Sequence, residues 1–171
     1  MRRFVAHAVC VALSVFSIAV LPTPVAVAAG AVEMQVEHIV SMSIDEYNQA
    51  MEAGDPSSWL KYFTDNVARN GLLSSQSGKQ EFAEYYRWEF ANFKAKYVVK
   101  KTIVSGRSAA VVYVWDAVHK PSGTPLQLET VAVYEMGPSG RFESVSFYYD
   151  TAKAAKFFAP PGADKQAMDA R

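Results

Sequence analysis

The sequence predicts an α+β fold in which three helices pack on one face of an antiparallel sheet. Three observations carry this. Three segments between residues 43 and 97 place apolar side chains at helical spacing, residues 97–150 switch to strand-like alternation, and only short turns separate the strand-like runs. Helices followed by hairpin-connected strands bury their apolar faces against one side of the sheet.

The first helix is expected from Ser43, which Glu46 follows at the spacing of a capping box. Ile44, Tyr47, Asn48 and Met51 then share a face, and Gly54 supplies the stop. The preceding residues, 29–41, form an apolar-polar lead-in to which the pattern assigns no structure. Asp55 and Pro56 open a second helix with a cap and a proline at its first position. Its apolar stripe is Trp59, Tyr62, Phe63 and Val67, and it ends by Asn70-Gly71. LLSSQSGK reads as a loop. A third helix follows, with Ser77 and Gln80 at capping-box spacing. At about 100° per residue, Phe82, Tyr86, Phe93 and Tyr97 share a narrow arc, Tyr85 and Phe90 flank it, and Glu89 falls inside it.

From Tyr97 the runs YVVKKTIV, AAVVYVWDAVH, LQLETVAVYEM and RFESVSFYYD read as four strands. The links SGRS, KPSGTP and GPSG between them are short enough to make a meander. One domain is expected over residues 42–158. A disordered tail is expected over 159–171, where the apolar pattern is lost.

Residues 1–28 have the grammar of a secretory signal peptide. Arg2 and Arg3 precede an apolar run without a charged residue over 4–21, and Ala26-Val27-Ala28 offers a cleavage site. A retained anchor, which needs about 20 apolar residues, is the alternative. Cleavage implies a secreted or periplasmic protein and removes Cys10, the only cysteine. It also removes two of 17 basic residues and none of 17 acidic ones, leaving 15 against 17 and a net charge of −2. Nucleic acid is then a poor partner, since phosphate binding needs a concentrated basic surface. No membrane association is expected after cleavage. No metal site is expected either, because thiols are lacking and His38 and His119 have no ligand spacing. There is no phosphate loop and no nucleophile elbow.

Four short stretches carry a family resemblance: Tyr47-x-x-Ala50-x-x-x-Gly54-Asp55, Phe63-Thr64-Asp65-Asn66-Val67, Ser77-Gly78-Lys79-Gln80-Glu81-Phe82 and Phe147-Tyr148-Tyr149-Asp150. Together with the element order they resemble the nuclear transport factor 2-like superfamily. That superfamily includes SnoaL-like polyketide cyclases, ketosteroid isomerases, limonene-epoxide hydrolases, scytalone dehydratases and many non-enzymatic domains. The resemblance covers roughly residues 42–158. It implies a cone-shaped, cystatin-like α+β barrel with three helices on the concave face of a curved sheet, an apolar pocket, and a homodimer through the outer sheet face.

The working groups of these relatives are only partly present. Tyr47 falls on the ketosteroid isomerase tyrosine, but the base position falls on Gly71 and the oxyanion acid on Ala132. A hydrogen-bond donor without a base abstracts no proton. In the epoxide hydrolase pattern Asp116 takes the first acid position, while the arginine falls on Val114 and the second acid on Phe147. Asp150, three residues further on, suits a structural turn. Tyr47, Tyr85, Tyr86 and Asp116 offer part of a dehydratase set, but His38 and His119 stand apart from it.

Two carboxylates remain to be explained. Glu89 lies on the apolar arc of the third helix, and Asp116 interrupts a β-branched and aromatic strand beside Trp115. Burying a lone ionised carboxylate costs several kcal/mol, so such a group is protonated, paired or put to use. A rim position or pairing with Lys96 or Arg87 is the alternative for Glu89, and an exposed face or dimer seam the alternative for Asp116. The candidate catalytic set is therefore Glu89 or Asp116 as acid or base, with Tyr47 to orient or polarise an oxygen. Trp59, Phe63, Tyr86, Phe90 and Trp115 are candidate ligand contacts, with ordinary core packing as their alternative. The expected function is an apolar pocket for a small hydrophobic molecule, with acid-base chemistry of the isomerase, cyclase, dehydratase or epoxide hydrolase type. A non-catalytic ligand-binding or protein-interaction module is the other reading. Side chains suffice for such chemistry, so no cofactor is expected.

Overall fold

The computed structural model describes residues 24–157, with side chains from Gly30 onward. Most of the signal-peptide segment and the whole of the expected disordered tail lie outside the described residues.

The first helix is longer than the sequence pattern suggests. Helix α1 spans Pro24–Ala53 and takes in the lead-in. Val36, Val40, Ile44, Tyr47, Ala50 and Met51 form its buried stripe. Ser43 therefore lies within the helix and does not cap it. Its buried hydroxyl instead accepts a hydrogen bond from Trp59 Nε1 at 3.0 Å. Gly54, at φ 74°, ends the helix: its N–H bonds Met51 O, and the Asp55 N–H bonds Ala50 O. This double closure needs the left-handed conformation that glycine adopts at little cost.

The second expected helix is a correction. Asp55 does cap a helical turn, accepting from Ser57 N at 3.0 Å, but that turn is a 3-10 helix over Pro56–Tyr62. Strand β1 then occupies Phe63–Asn70. Phe63 and Val67 are four residues apart, a separation compatible with a helix face and with every second residue of a strand. Arg69 breaks the tie, because it is buried with them as only a strand would place it. The LLSSQSGK stretch also contains a short strand, β2, at Ser75–Ser77, paired antiparallel to β1.

Helix α2 covers Gly78–Asn92. Glu81, and not Gln80, reaches back to cap it, accepting from Ser77 N at 2.8 Å. The helix stops before Phe93 and Tyr97, which continue its apolar arc in sequence but lie on the inner face of strand β3, Phe93–Ser105. Strands β4 (Ser108–His119), β5 (Thr124–Met136) and β6 (Phe142–Tyr149) complete the meander. A one-turn helix α3, Thr151–Ala154, follows, capped by Asp150 through Ala152 N and Lys153 N.

The six strands form one curled, unclosed sheet in the order β2-β1-β6-β5-β4-β3. All neighbours are antiparallel except β1 and β6, which run parallel. Burial alternates along β4 and β5, so one face is inner and the other outer. An irregularity between Val99 and Lys101 shifts the register of β3 against β4. The helices close over the inner face. Asn48 on α1 clamps the β3 edge there, donating to Tyr97 O at 3.3 Å and accepting from Tyr97 N at 2.8 Å.

Aromatic rings fill the space between the helices and the sheet. Trp59, Phe63 and Phe82 lie in mutual contact, with centroids 4.6–5.7 Å apart. Fully burying such a side chain contributes about 1.5–3 kcal/mol. This cluster anchors α2 and the 3-10 turn to β1, and so fixes where Glu89 stands.

Candidate active site

Glu89 sits on the buried side of α2 and is 4 % exposed. From the facing helix α1, the Tyr47 hydroxyl donates to Glu89 Oε1 at 2.6 Å. Trp115, from β4, donates its indole N–H to the Tyr47 oxygen at 3.2 Å. The result is a directed chain from Trp115 through Tyr47 to Glu89. The Tyr47 ring is held parallel to Tyr97 at 3.8 Å between centroids, so the hydroxyl has little freedom to swing away.

Burial pushes the Glu89 carboxyl above its ordinary value of 4.5, while the Tyr47 hydrogen bond and the positive charge of Arg69 pull the other way. Burial, followed by the negative charge of Glu89, pushes the Tyr47 hydroxyl far above the usual phenol range. Tyr47 is thus a fixed donor, and Glu89 is the group of this pair that gives up its proton more readily.

Arg69, on β1, is 4 % exposed. Its guanidinium lies 3.7 Å from the centre of the Tyr85 ring and 5.0 Å from that of Phe147. Nη1 donates to Ser74 O at 3.1 Å and to Gln76 Oε1 at 3.0 Å. Burial works to lower its pKa, but neighbouring tyrosines and Glu89 outweigh that and raise it, so the group stays a cation. Gly71 makes room for this arrangement. A Cβ there would stand 2.6 Å from Arg69 Nη1 and 2.7 Å from Ser74 O.

Arg69, Glu89 and Trp115 share the wall of one cavity of about 30 Å³. Tyr85 and Tyr86 from α2, Tyr97 and Tyr113 from β3 and β4, and Leu128, Thr130, Phe147 and Tyr149 from the far strands complete it. Two buried polar atoms on its lining residues have no hydrogen-bond partner: Arg69 Nε and the Tyr86 hydroxyl.

Of the residues singled out in the sequence, Tyr47 and Glu89 are brought together. Asp116 is not. It lies on the outer face of β4, where Gln127 donates to it at 3.1 Å and Lys96 stands 3.9 Å away. Strand parity is the reason: Trp115 faces inward, so its neighbour faces outward. Lys96 is thereby paired with Asp116 and not with Glu89. Tyr86 and Trp115 line the cavity, whereas Trp59, Phe63 and Phe90 pack in the core and Tyr47 stands behind Glu89. Among the described residues no cluster of His, Cys, Asp and Glu is placed to hold a metal ion.

Arg69 is the residue that sequence reasoning missed. A helical reading of FTDNVARN leaves Arg69 off the stripe of Trp59, Phe63 and Val67 and gives it no role. A strand reading would have put it on the face of Phe63 and Val67.

The model of the SnoaL-like domain matches residues 44–145, which is more than half of the chain. The chain belongs to the SnoaL-like domain family. Solved structures share the fold. A SnoaL-like domain from Jannaschia sp. CCS1, named as a polyketide cyclase, is 18 % identical, with a TM-score of 0.65 over 76 % of this chain and 96 % of that one. The epoxide hydrolase/cyclase-like enzyme SalBIII, of pyran ring formation in salinomycin, is 18 % identical, with a TM-score of 0.63 over 71 % and 95 %. A protein with a ketosteroid isomerase-like fold from Catenulispora acidiphila DSM 44928, solved with trimethylamine, is 14 % identical, with a TM-score of 0.58 over 71 % and 95 %. No curated protein matches the chain.

Proposed function

We propose that this SnoaL-like domain is an exported enzyme that moves a proton on a small hydrophobic molecule carrying an oxygen, with Glu89 as the acid or base. The observation that carries the reading is the 2.6 Å bond from Tyr47 to a buried Glu89 at the wall of a cavity. A carboxyl raised by burial holds a proton longer than a surface acid does. Once it has given the proton up, the Tyr47 donor and the Arg69 charge stabilise the carboxylate. The only proton of Tyr47 is committed to Glu89, so Tyr47 serves as a positioning residue. Isomerase, cyclase, dehydratase and epoxide hydrolase chemistries all use such a group, and this one acts without a cofactor.

A second reading is a non-catalytic ligand-binding or interaction module of the same fold. The size of the cavity favours it: about 30 Å³ is far below the few hundred Å³ of a typical small-molecule pocket. Under the enzyme reading α2 and the strand ends must part to admit substrate. Export follows from the signal-peptide grammar of residues 1–28, and N-terminal sequencing of the processed protein tests it. Dimerisation through the outer sheet face is supported by Ile103, Val118 and Tyr148, which are 50 %, 40 % and 54 % exposed.

One experiment separates the two functional readings. A panel of cyclic ketones, epoxides and polyketide fragments is screened for binding through tryptophan fluorescence, to which Trp115 in the cavity wall contributes, and the binders are followed by NMR for turnover. The enzyme reading expects turnover that Glu89→Gln abolishes while binding survives. Binding without turnover in the wild type favours the module.

A further inference from the structure

The role given to Glu89 leaves two features of the cavity unused: a buried cation, and two buried polar atoms without partners. Tyr86 is fully buried and Arg69 nearly so, and both line the cavity. Each perturbs the ionisation of the other, which sets the hydroxyl beside the guanidinium. Neither the Tyr86 hydroxyl nor Arg69 Nε completes a well-formed hydrogen bond: the two groups, and Tyr97 beside them, stand close enough to interact only weakly. An unsatisfied buried donor costs about 1–3 kcal/mol, so a fold that keeps two of them side by side calls for an explanation. Other contacts already hold the Arg69 fork: Nη1 is occupied by Ser74 O and Gln76, and the Tyr85 ring lies against its plane. The unused Nε and the Tyr86 O–H are two donors backed by one full positive charge. A neutral ketone or epoxide uses such donors weakly, whereas a carboxylate takes both and the charge as well.

We propose that the corner between Arg69 and Tyr86 is a carboxylate-binding subsite, and that the ligand of this pocket is a small organic acid. The inference deepens the proposed function and rests on it for the chemistry of Glu89 and for the parting of α2 and the strand ends that a cavity of about 30 Å³ requires, while binding of the acid does not require turnover.

Charge balance gives the site a distinctive behaviour. Glu89 is faced by Tyr47 from α1, by Arg69 from β1 and by Tyr85 and Tyr86 on its own helix. Tyr97 from β3, Tyr113 from β4 and Tyr149 from β6 also sense its charge, and β5 contributes only Leu128 and Thr130. Burial raises every one of these tyrosines, so they are neutral at ordinary pH. Of the described cavity residues, Arg69 and Glu89 carry the charge. When the subsite is empty, the Glu89 carboxylate offsets the Arg69 cation. When a carboxylate occupies it, a second anion beside Glu89 raises the affinity of Glu89 for a proton. Binding of the acid anion is therefore coupled to uptake of one proton by Glu89, and the cavity stays neutral overall.

The test uses acetate and acetamide, which match in size and differ in charge. Each is titrated into the full chain and followed by NMR, including the Arg69 Nε–H signal, at several pH values on both sides of the Glu89 titration. Acetate is expected to bind at least ~10-fold more tightly than acetamide, a ratio set by the loss of one charge-assisted hydrogen bond. Its affinity is expected to fall about tenfold per pH unit above the Glu89 titration, as one-proton linkage requires. Glu89→Gln should abolish that dependence. Tyr86→Phe, which keeps the ring and hence the packing, should weaken acetate by roughly tenfold. Equal binding of acetate and acetamide, no binding of acetate, or a pH dependence that persists in Glu89→Gln would each overturn the proposal. Glu89-dependent turnover of a neutral substrate by a chain that ignores acetate would remove the subsite and leave the acid-base reading standing. Acetate binding in a chain that turns over nothing would do the reverse.

Discussion

Removing one oxygen atom tests the coupling between Tyr47 and Glu89. Tyr47→Phe keeps the ring, which is stacked on Tyr97 at 3.8 Å and set edge-on to Trp59 at 5.3 Å, so the packing is preserved. What is lost is the 2.6 Å bond to Glu89 and the acceptor for Trp115. A hydrogen bond to a charged group is worth about 1.5–3 kcal/mol and a neutral one about 0.5–1.5 kcal/mol. The variant should therefore lose more stability where Glu89 is ionised than where it is protonated. The sign follows from linkage. The folded-state pKa of Glu89 is raised above 4.5, so its contribution is fully present below that value and is lost as pH rises through the folded pKa. Without the Tyr47 donor the carboxylate is less stabilised, and its pKa rises further. Urea denaturation of wild type and variant at a pH below 4.5 and at a mildly alkaline pH measures both ends of the window. The expected penalty is about 1 kcal/mol at the acidic end and about 2–3 kcal/mol at the alkaline end. An identical penalty at both ends would mean that the hydroxyl does not act on the charge of Glu89, and the reasoning would fail.

Three further outcomes are expected. Gly71→Ala drives a methyl into Arg69 Nη1 and Ser74 O at 2.6 and 2.7 Å, and should cost about 1–3 kcal/mol while altering the Arg69 side-chain NMR signal. An unchanged signal would show that Gly71 does not shape the Arg69 nest. Asn48→Ala removes both bonds to the Tyr97 backbone and should speed amide exchange at the β3 edge, with a loss of about 1–3 kcal/mol by chemical denaturation. Asp116→Asn acts on the outer face, so thermal unfolding should place it within about 0.5 kcal/mol of wild type, and any turnover found should be unchanged.

The sequence made the four strands of the meander legible because strand-like runs of eight or more residues, broken by glycine-containing turns, have few other physical solutions. Glu89 was legible for a related reason: a carboxylate on an aromatic helix arc stands out. Three features were hidden by degeneracy in the local signals. The spacing of Phe63 and Val67 suits a helix or a strand, and this concealed Arg69. Phe93 and Tyr97 continue the arc of α2 by coincidence of phase, although the chain leaves the helix at Asn92 and returns them to the inner face as strand residues. Asp116 and Trp115 are adjacent in sequence, and only the parity of β4 sends one inward and the other out. The partnership of Tyr47 with Glu89 spans 42 positions and depends on how α1 crosses α2, which no local pattern encodes.

The account turns on Glu89 as the buried group that holds and releases a proton at the cavity wall. Carboxyl-carbon NMR of the selectively labelled protein, titrated across the acidic and neutral range, reads that proton directly. The predicted result is a Glu89 midpoint clearly above 4.5 that moves higher still in Tyr47→Phe. A midpoint at or below 4.5 would show Glu89 held as a permanent counter-ion to Arg69, and would contradict an acid-base role.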